Sequence, residues 1–299
     1  MRLRGRIRHL KNRIKLNKRA FIAYSILRAL IIVTAIRCFI MGNYESFNLC
    51  ILSLVLFLVP GFLEETLKID FPPLFEIIIY LFIYAAEILG EVNKYYTAIP
   101  GWDTMLHTLN GFLCAAIGFS LVEVSNRRSK RLQLSPVYLA LVAFCFSMTV
   151  GVLWEFVEYT CDHFFFWDMQ KDTIVSAIGS VTLDPTHSQN AIKVSDIAQT
   201  VIVTKNGQNY VVSGGYLDIG LNDTMKDLIV NFIGAVTFSV IGYMYEKTKD
   251  ASSRIGQIAT GLKVEALTDE EMEIQNLRIE AMQAEKKLRR SKLRRGKRK

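Results

Sequence analysis

Residues 137–159 read VYLALVAFCFSMTVGVLWEFVEY, and the first charged side chain in that run is Glu155. A helix crossing the hydrocarbon core of a bilayer needs about 20 mostly apolar residues, a length this run exceeds. It is therefore read as a membrane span, and its exit is unusual because Glu155 and Glu158 follow directly on Trp154. Five further segments share the pattern, roughly 21–41, 47–63, 74–89, 105–124 and 228–245. The first follows a basic leader, but it is too long and lacks a small-residue exit, so it is expected to be an anchor rather than a cleaved signal. The fold class is all-α: a polytopic helical membrane protein with about six transmembrane helices.

Charge supports this reading once it is located. The 299 residues carry a net charge of +8, yet residues 1–19 hold nine Lys/Arg and no acid, and 246–299 hold fifteen basic and nine acidic residues. The body between them is acidic. A nucleic-acid-binding domain would instead line one folded surface with its basic residues, so no nucleic-acid partner is expected. Basic flanks mark the cytoplasmic side. Both ends, together with the loop holding Arg127, Arg128, Lys130 and Arg131, fall on one side when the number of spans is even. The expected organisation is a cytoplasmic leader (1–19), a six-span domain (20–245) with an extracytoplasmic connection at 160–226, and a partly helical cytoplasmic tail (246–299). The location implied is the plasma membrane. Eight of the last eleven residues are Lys/Arg, enough to associate with anionic lipid headgroups.

Within the long connection, Thr200–Thr204 and Asn209–Ser213 flank Asn206-Gly207, a pair that favours the left-handed turn of a tight outer-loop β-hairpin. The remainder reads as loop. Cys38, Cys50, Cys114 and Cys145 lie in apolar spans, Cys161 near the loop, and no C-x-x-C occurs, so neither a structural zinc site nor a redox pair is indicated. Trp102, Trp154 and Trp167 fall near the outer interface, where an aromatic belt belongs.

Ionisable residues inside spans are costly and mark function. Glu87 ends the third span on the outer side. Asp103, His107 and Asn110 share one face of the fourth at i, i+4, i+7. Glu155, Glu158 and Asp162 do so on the fifth, and Asp223, Asp227 and Asn231 form a stripe on the sixth. Small residues (Gly111, Ala115, Ser147, Gly151, Ala235, Ser239) allow these faces to approach closely. So many carboxylates at one depth need a compensating charge. A divalent metal supplies it: Asp103, His107, Glu155, Glu158, Asp223 and Asp227 are the candidate ligands, supported by Asn110, Asp162 and Asn231. Carboxylates with one imidazole suit Zn, Mn or Fe, and an oxygen-only subset suits Mg or Ca. Such an ion activates water, with Glu87 or Glu158 as the spare carboxylate for general base work.

The alternatives are concrete. Asp103 and Asp223 stand where helix N-termini favour acids, and Arg37 is a possible structural counter-ion. His163 and His187 are expected to be solvated. Three functions remain open: a divalent-metal-dependent hydrolase or transferase acting on a lipid or lipid-linked substrate, a cation or proton transporter, and a non-catalytic membrane scaffold. A transporter needs polar residues continuing inward, and only Glu76 and Glu123 lie toward the inner ends.

The motifs in order are L-F-I-Y-A-A-E-I-L-G at 81–90, W-D-T-M-L-H-T-L-N-G at 102–111, W-E-F-V-E at 154–158 and D-T-M-K-D at 223–227, followed by Asn231 and Gly234-Ala235. Together they resemble the YjdF-like bacterial integral membrane proteins over about 74–245, with the two earlier spans plausibly included. The D-x-x-x-H element alone is also similar to one in VanZ-like membrane proteins. The resemblance implies a membrane location and a role for the polar set, but neither substrate nor reaction. The insert at about 173–217 and the basic C-terminal extension depart from the family's compact pattern.

Overall fold

The computed structural model describes residues 18–67, 69–128 and 133–266, with the isolated positions Ile274, Leu277 and Ala281. The leader before Lys18, the basic residues Lys130 and Arg131, and the tail helix expected from Thr268 onward fall outside the described residues.

Among the described residues, six helical segments are long and apolar enough to cross a membrane, at Arg19–Ile40, Tyr44–Glu64, Pro73–Val92, Trp102–Asn126, Pro136–Phe165 and Leu221–Thr248. The protein is a polytopic helical membrane protein. Its surface is inverted relative to a water-soluble fold: Val33 is 64% and Phe156 61% exposed, whereas Asp227 is 1% and Glu155 5% exposed. Apolar side chains outside and acids inside is the arrangement that hydrocarbon solvent selects, because each helix satisfies its own backbone and only polar side chains need protein partners.

The spans form two groups of three. In the first, α1 (Lys18–Ile40) packs on α2 (Tyr44–Leu56) and α4 (Pro73–Ile83) around Ile31, Cys50, Phe57 and Tyr80. The second span is not one helix. It breaks after Leu56 and resumes as α3 (Val59–Leu67), where Pro60 lacks the N–H that a continuous helix requires. The third is also not uniform. After Ile83 it widens into a π-helical segment, Tyr84–Val92, closed by Asn93 N–H donating to the Ile88 carbonyl at 3.0 Å. A short helix α5 (Tyr95–Ala98) leads into the second group.

That group is α6 (Trp102–Arg128), α7 (Pro136–Phe165) and α8 (Leu221–Thr248), which form a tightly packed trio. Glycine permits the contact. A Cβ on Gly234 would lie 2.0 Å from the Thr108 carbonyl oxygen, and one on Gly111 would lie 2.1 Å from that of Asn231. Ser147 Oγ donates to the Gly111 carbonyl at 2.7 Å. The fifth span runs six residues past its expected end and the sixth starts seven residues early. The reason is that the polar residues that dilute hydropathy at these ends face inward on continuing helix.

The connection between α7 and α8 is not the plain loop the sequence suggests. Besides the expected hairpin, β5 (Gln199–Val203) with β6 (Asn209–Ser213), it contains two more antiparallel pairs. These are β2 (Thr173–Val175) with β7 (Tyr216–Asp218), and β3 (Ile178–Ser180) with β4 (Ile192–Val194). The hairpin turn also differs in type. Gly207 N–H donates to the Thr204 carbonyl, and Gly207 has φ +82° while Asn206 is not left-handed, giving a three-residue loop with a glycine bulge rather than a two-residue turn.

Between β3 and β4, Asp184 collects the Thr186 and Ser188 hydroxyls and the N–H groups of Thr186, Ser188 and Asn190. The Thr186 hydroxyl, then its N–H, hold this carboxyl well below the usual carboxylate range. A depressed carboxylate favours the folded loop above the ordinary Asp pKa, about 3.9, and the advantage disappears only as pH falls through the lowered value. Hydrogen exchange should therefore show the amides of Thr186, Ser188 and Asn190 protected at pH 5 and still protected at pH 4. In Asp184→Ala that protection should be absent at both.

At the opposite end of the bundle, the chain after α8 does not leave as a tail. Helix α9 (Arg254–Leu262) packs against α8 and α4, and β8 (Glu265–Ala266) pairs with β1 (Ile69–Asp70), the link between α3 and α4. Lys263 Nζ reaches Glu123 Oε1 at 2.6 Å, and Val264, 1% exposed, donates its N–H to Ser120 Oγ at 3.0 Å. Leu262 and Val264 enter the same core as Phe75, Phe119 and Phe238.

Candidate functional site

Three helix faces meet at the end of the bundle where the connection between α7 and α8 lies. Asp103 is the second residue of α6, and Asp227 lies six residues into α8, about 9 Å along its axis. Glu155 lies ten residues before the end of α7, about 15 Å along its axis. Helical spacing sets the convergence: i, i+4 places Asp103 and His107 on one face of α6, and that face meets α7 and α8.

His107 stands at the centre. Its Nε2 lies 3.4 Å from Asp103 Oδ1 and 3.9 Å from Asp227 Oδ2, while Nδ1 lies 3.8 Å from Glu155 Oε1. All three separations exceed a good N–H···O distance. One donor atom from each of Asp103, His107 and Asp227 lies within 4.8 Å of the others, a grouping that fits around a single ion. Among the described residues, Asp103 Oδ2, Asp227 Oδ1 and Glu155 Oε2 are buried without a hydrogen-bond partner. Unsatisfied buried carboxylate oxygens are expensive in a low-dielectric interior.

The remaining expected residues are placed less centrally. Glu158 accepts from Trp154 Nε1 at 2.7 Å, so Trp154 positions Glu158 rather than its neighbour Glu155. Asp223 accepts Lys171 N–H at 2.7 Å, and Asp162 accepts the N–H groups of Met169 and Gln170 at 2.5 and 2.7 Å. These two acids hold the 169–171 segment across the helix ends, and Gln170 Nε2 adds a 2.5 Å bond to Thr224 Oγ1. The N-cap of α8 is Gly220, and the Asn222 N–H in its first turn donates to Asp218 at 2.8 Å, so Asp223 is not spent on capping. Asn231 accepts from Asn110 Nδ2 at 3.2 Å, and its own Nδ2 lies 3.6 Å from Met148 Sδ.

Glu87 lies on the π-helical segment, and no hydrogen bond or ion pair joins it to the His107 group among the described residues. Tyr96 is a neighbour common to both: burial, then Glu91, Asp103, Glu87 and Glu158 in turn, push its hydroxyl above the usual tyrosine range. The Tyr96 ring packs so closely on Gly90 that a Cβ there would lie 2.4 Å from Cε2.

Lys226 is the residue whose role sequence reasoning missed. Its ammonium lies 3.8 Å from Asp223 Oδ1 and 3.9 Å from both Asp103 Oδ2 and Asp227 Oδ1. The signal was present, since Lys226 is i+3 from Asp223, a spacing at which opposite charges meet on a helix.

Comparison with known proteins identifies the family. Residues 21–184, more than half of the chain, match the family described as Predicted membrane protein (DUF2238). The chain belongs to this family. The match begins two spans earlier than the 74–245 resemblance and stops within the long connection. The DUF2238 segment thus carries Asp103, His107 and Glu155, whereas Asp227 and Lys226 lie beyond it. No curated protein and no solved structure matches the chain significantly.

Proposed function

We propose that this DUF2238 protein binds a divalent cation between Asp103, His107 Nε2 and Asp227, and uses it on a lipid or lipid-linked substrate. The observation that carries the reading is the set of buried carboxylate oxygens around one imidazole that have no hydrogen-bond partner among the described residues. An imidazole coordinates through one nitrogen. With Nε2 facing the two aspartates, Nδ1 faces Glu155, the carboxylate partner that orients metal-binding histidines. Two carboxylates and one imidazole leave positions open, which suits Zn or Mn and admits Mg. A bound ion there would lower the pKa of water for hydrolysis or group transfer. Glu158, steadied by Trp154, is the base that the geometry favours over Glu87.

The basic flanks favour cytoplasmic termini, and on that orientation the site opens to the outer leaflet of the plasma membrane. The YjdF-like resemblance is consistent with the DUF2238 match, and its motifs continue into α8 at 223–235. A transporter is the weaker reading. Below Asn231 and Ser147 the trio is filled by Leu113, Phe119, Leu139 and Phe238, with Phe112 edge-on to Phe238 at 5.2 Å. Further inward the buried polar side chains of the trio are sparse: Ser239, Ser120 and Glu123 among the described residues.

Protein purified without chelator should contain one divalent ion per chain. In Asp103→Ala and His107→Ala the ion should bind at least tenfold more weakly, as measured by elemental analysis and Mn²⁺ titration. An unmutated protein free of metal, and unable to take up Mn²⁺, Zn²⁺ or Mg²⁺, would overturn the proposal.

A further inference from the structure

Asp103 and Asp227 each divide their oxygens between two partners. Asp103 Oδ1 and Asp227 Oδ2 face His107 Nε2, whereas Asp103 Oδ2 and Asp227 Oδ1 face the Lys226 ammonium. Among the described residues, both lysine-facing oxygens are buried without a hydrogen-bond partner. Lys226 neutralises them from 3.9 Å, beyond hydrogen-bonding distance, so it contributes charge without the directional bond that would lock it in place. It is also half-exposed, 49% by side chain, against 1% for Asp227, so the ammonium can leave while the carboxylate cannot.

We infer that Lys226 is a tethered counter-ion that competes with the divalent cation for Asp103 and Asp227 and thereby sets the affinity of the site. The inference rests on the divalent-cation reading. Two carboxylates shared by an ammonium and a dication cannot serve both fully. An ion entering on the His107 side draws both carboxylates toward itself and repels the ammonium that faces their other oxygens. Asp223, held by the Lys171 N–H, remains available to Lys226 at 3.8 Å. The lysine therefore has a second resting partner that is outside the grouping fit for an ion. That explains a cation within a site built of acids: it keeps the empty arrangement from carrying uncompensated charge and yields when the ion arrives.

The test is Mn²⁺ titration of the full-length protein in detergent, comparing unmutated protein with Lys226→Met and Lys226→Arg. Removing a unit charge at this distance should tighten Mn²⁺ binding at least tenfold in Lys226→Met, while Lys226→Arg, which keeps the charge, should stay within about threefold of unmutated protein. If Mn²⁺ binds the unmutated protein and Lys226→Met binds it equally or more weakly, the counter-ion role is overturned and the metal site stands. If neither protein binds Mn²⁺, both readings fall. Thermal unfolding of each variant identifies a misfolded one, and Lys226→Gln replaces Lys226→Met in that case.

Discussion

Gly234→Val should abolish the folded trio of α6, α7 and α8. Even a single Cβ at this position would stand 2.0 Å from the Thr108 carbonyl oxygen and 2.8 Å from Phe112 N, both backbone atoms of α6. No side-chain rotation relieves such a clash, so the helices must separate. Overpacking a well-filled interior costs about 1–3 kcal/mol even where side chains can adjust. Here backbone must move, and about 3 kcal/mol is a lower bound. Separation would also break the Asn110–Asn231 hydrogen bond and move Asp227 away from His107, because Gly234 follows Asn231 by one turn on α8 and meets α6 at Thr108, next to His107. The expected result is loss of monodisperse protein in size-exclusion chromatography, or a greatly lowered unfolding temperature in any protein recovered. Val236→Ala, on the same helix at a partly exposed position, should leave both unchanged.

Lys263→Ala is expected to destabilise the protein by about 3 kcal/mol, although the residue lies beyond the last span. Its ammonium reaches Glu123 at 2.6 Å with both side chains buried, and it lies 5.7 Å from the Tyr245 ring centroid. Removing one partner of a buried pair leaves the other charge in a poor environment, whereas replacing both with apolar side chains of similar volume is close to neutral. Glu123→Met with Lys263→Met should therefore recover most of the stability lost in Lys263→Ala. Thermal unfolding in detergent checks both. Truncation after Lys249 should cost at least as much as Lys263→Ala, since it also removes Leu262 and Val264 from the core and β8 from β1. A phenotype after that truncation is thus not evidence for a recruited partner.

The membrane class was legible because hydropathy is a local property. A run such as 137–154 has one low-energy environment, and no tertiary contact changes that. Span ends were less legible for the same reason: Asp223 and Glu158 lower local hydropathy yet sit on continuous helix, since the faces that carry them turn inward. The π-helical segment at Tyr84–Val92 left no mark in composition, and it removes Glu87 from the common phase that ideal helical spacing assigns. The segment 246–266 was read as the start of a charged tail because Lys263 and Glu265 are ordinary surface residues in isolation. Only Glu123, 140 positions away, turns Lys263 into a buried partner.

The candidate site divides along the same line. Which residues share a face follows from helical periodicity, so Asp103 with His107, Glu155 with Glu158 and Asp223 with Asp227 could be paired from the sequence alone. Which faces meet, and which oxygen addresses which nitrogen, required the packing of three helices. That packing sets Asp162 and Asp223 to hold backbone, ties Glu158 to Trp154, and brings Lys226 up to Asp103 on another helix. The sequence by itself determined the solvent, the spans and the polar faces, because these depend on the residues of one segment at a time. The tertiary structure alone decided the grouping of Asp103, His107 and Asp227, because side chains more than 100 positions apart meet only where glycines let the backbones approach.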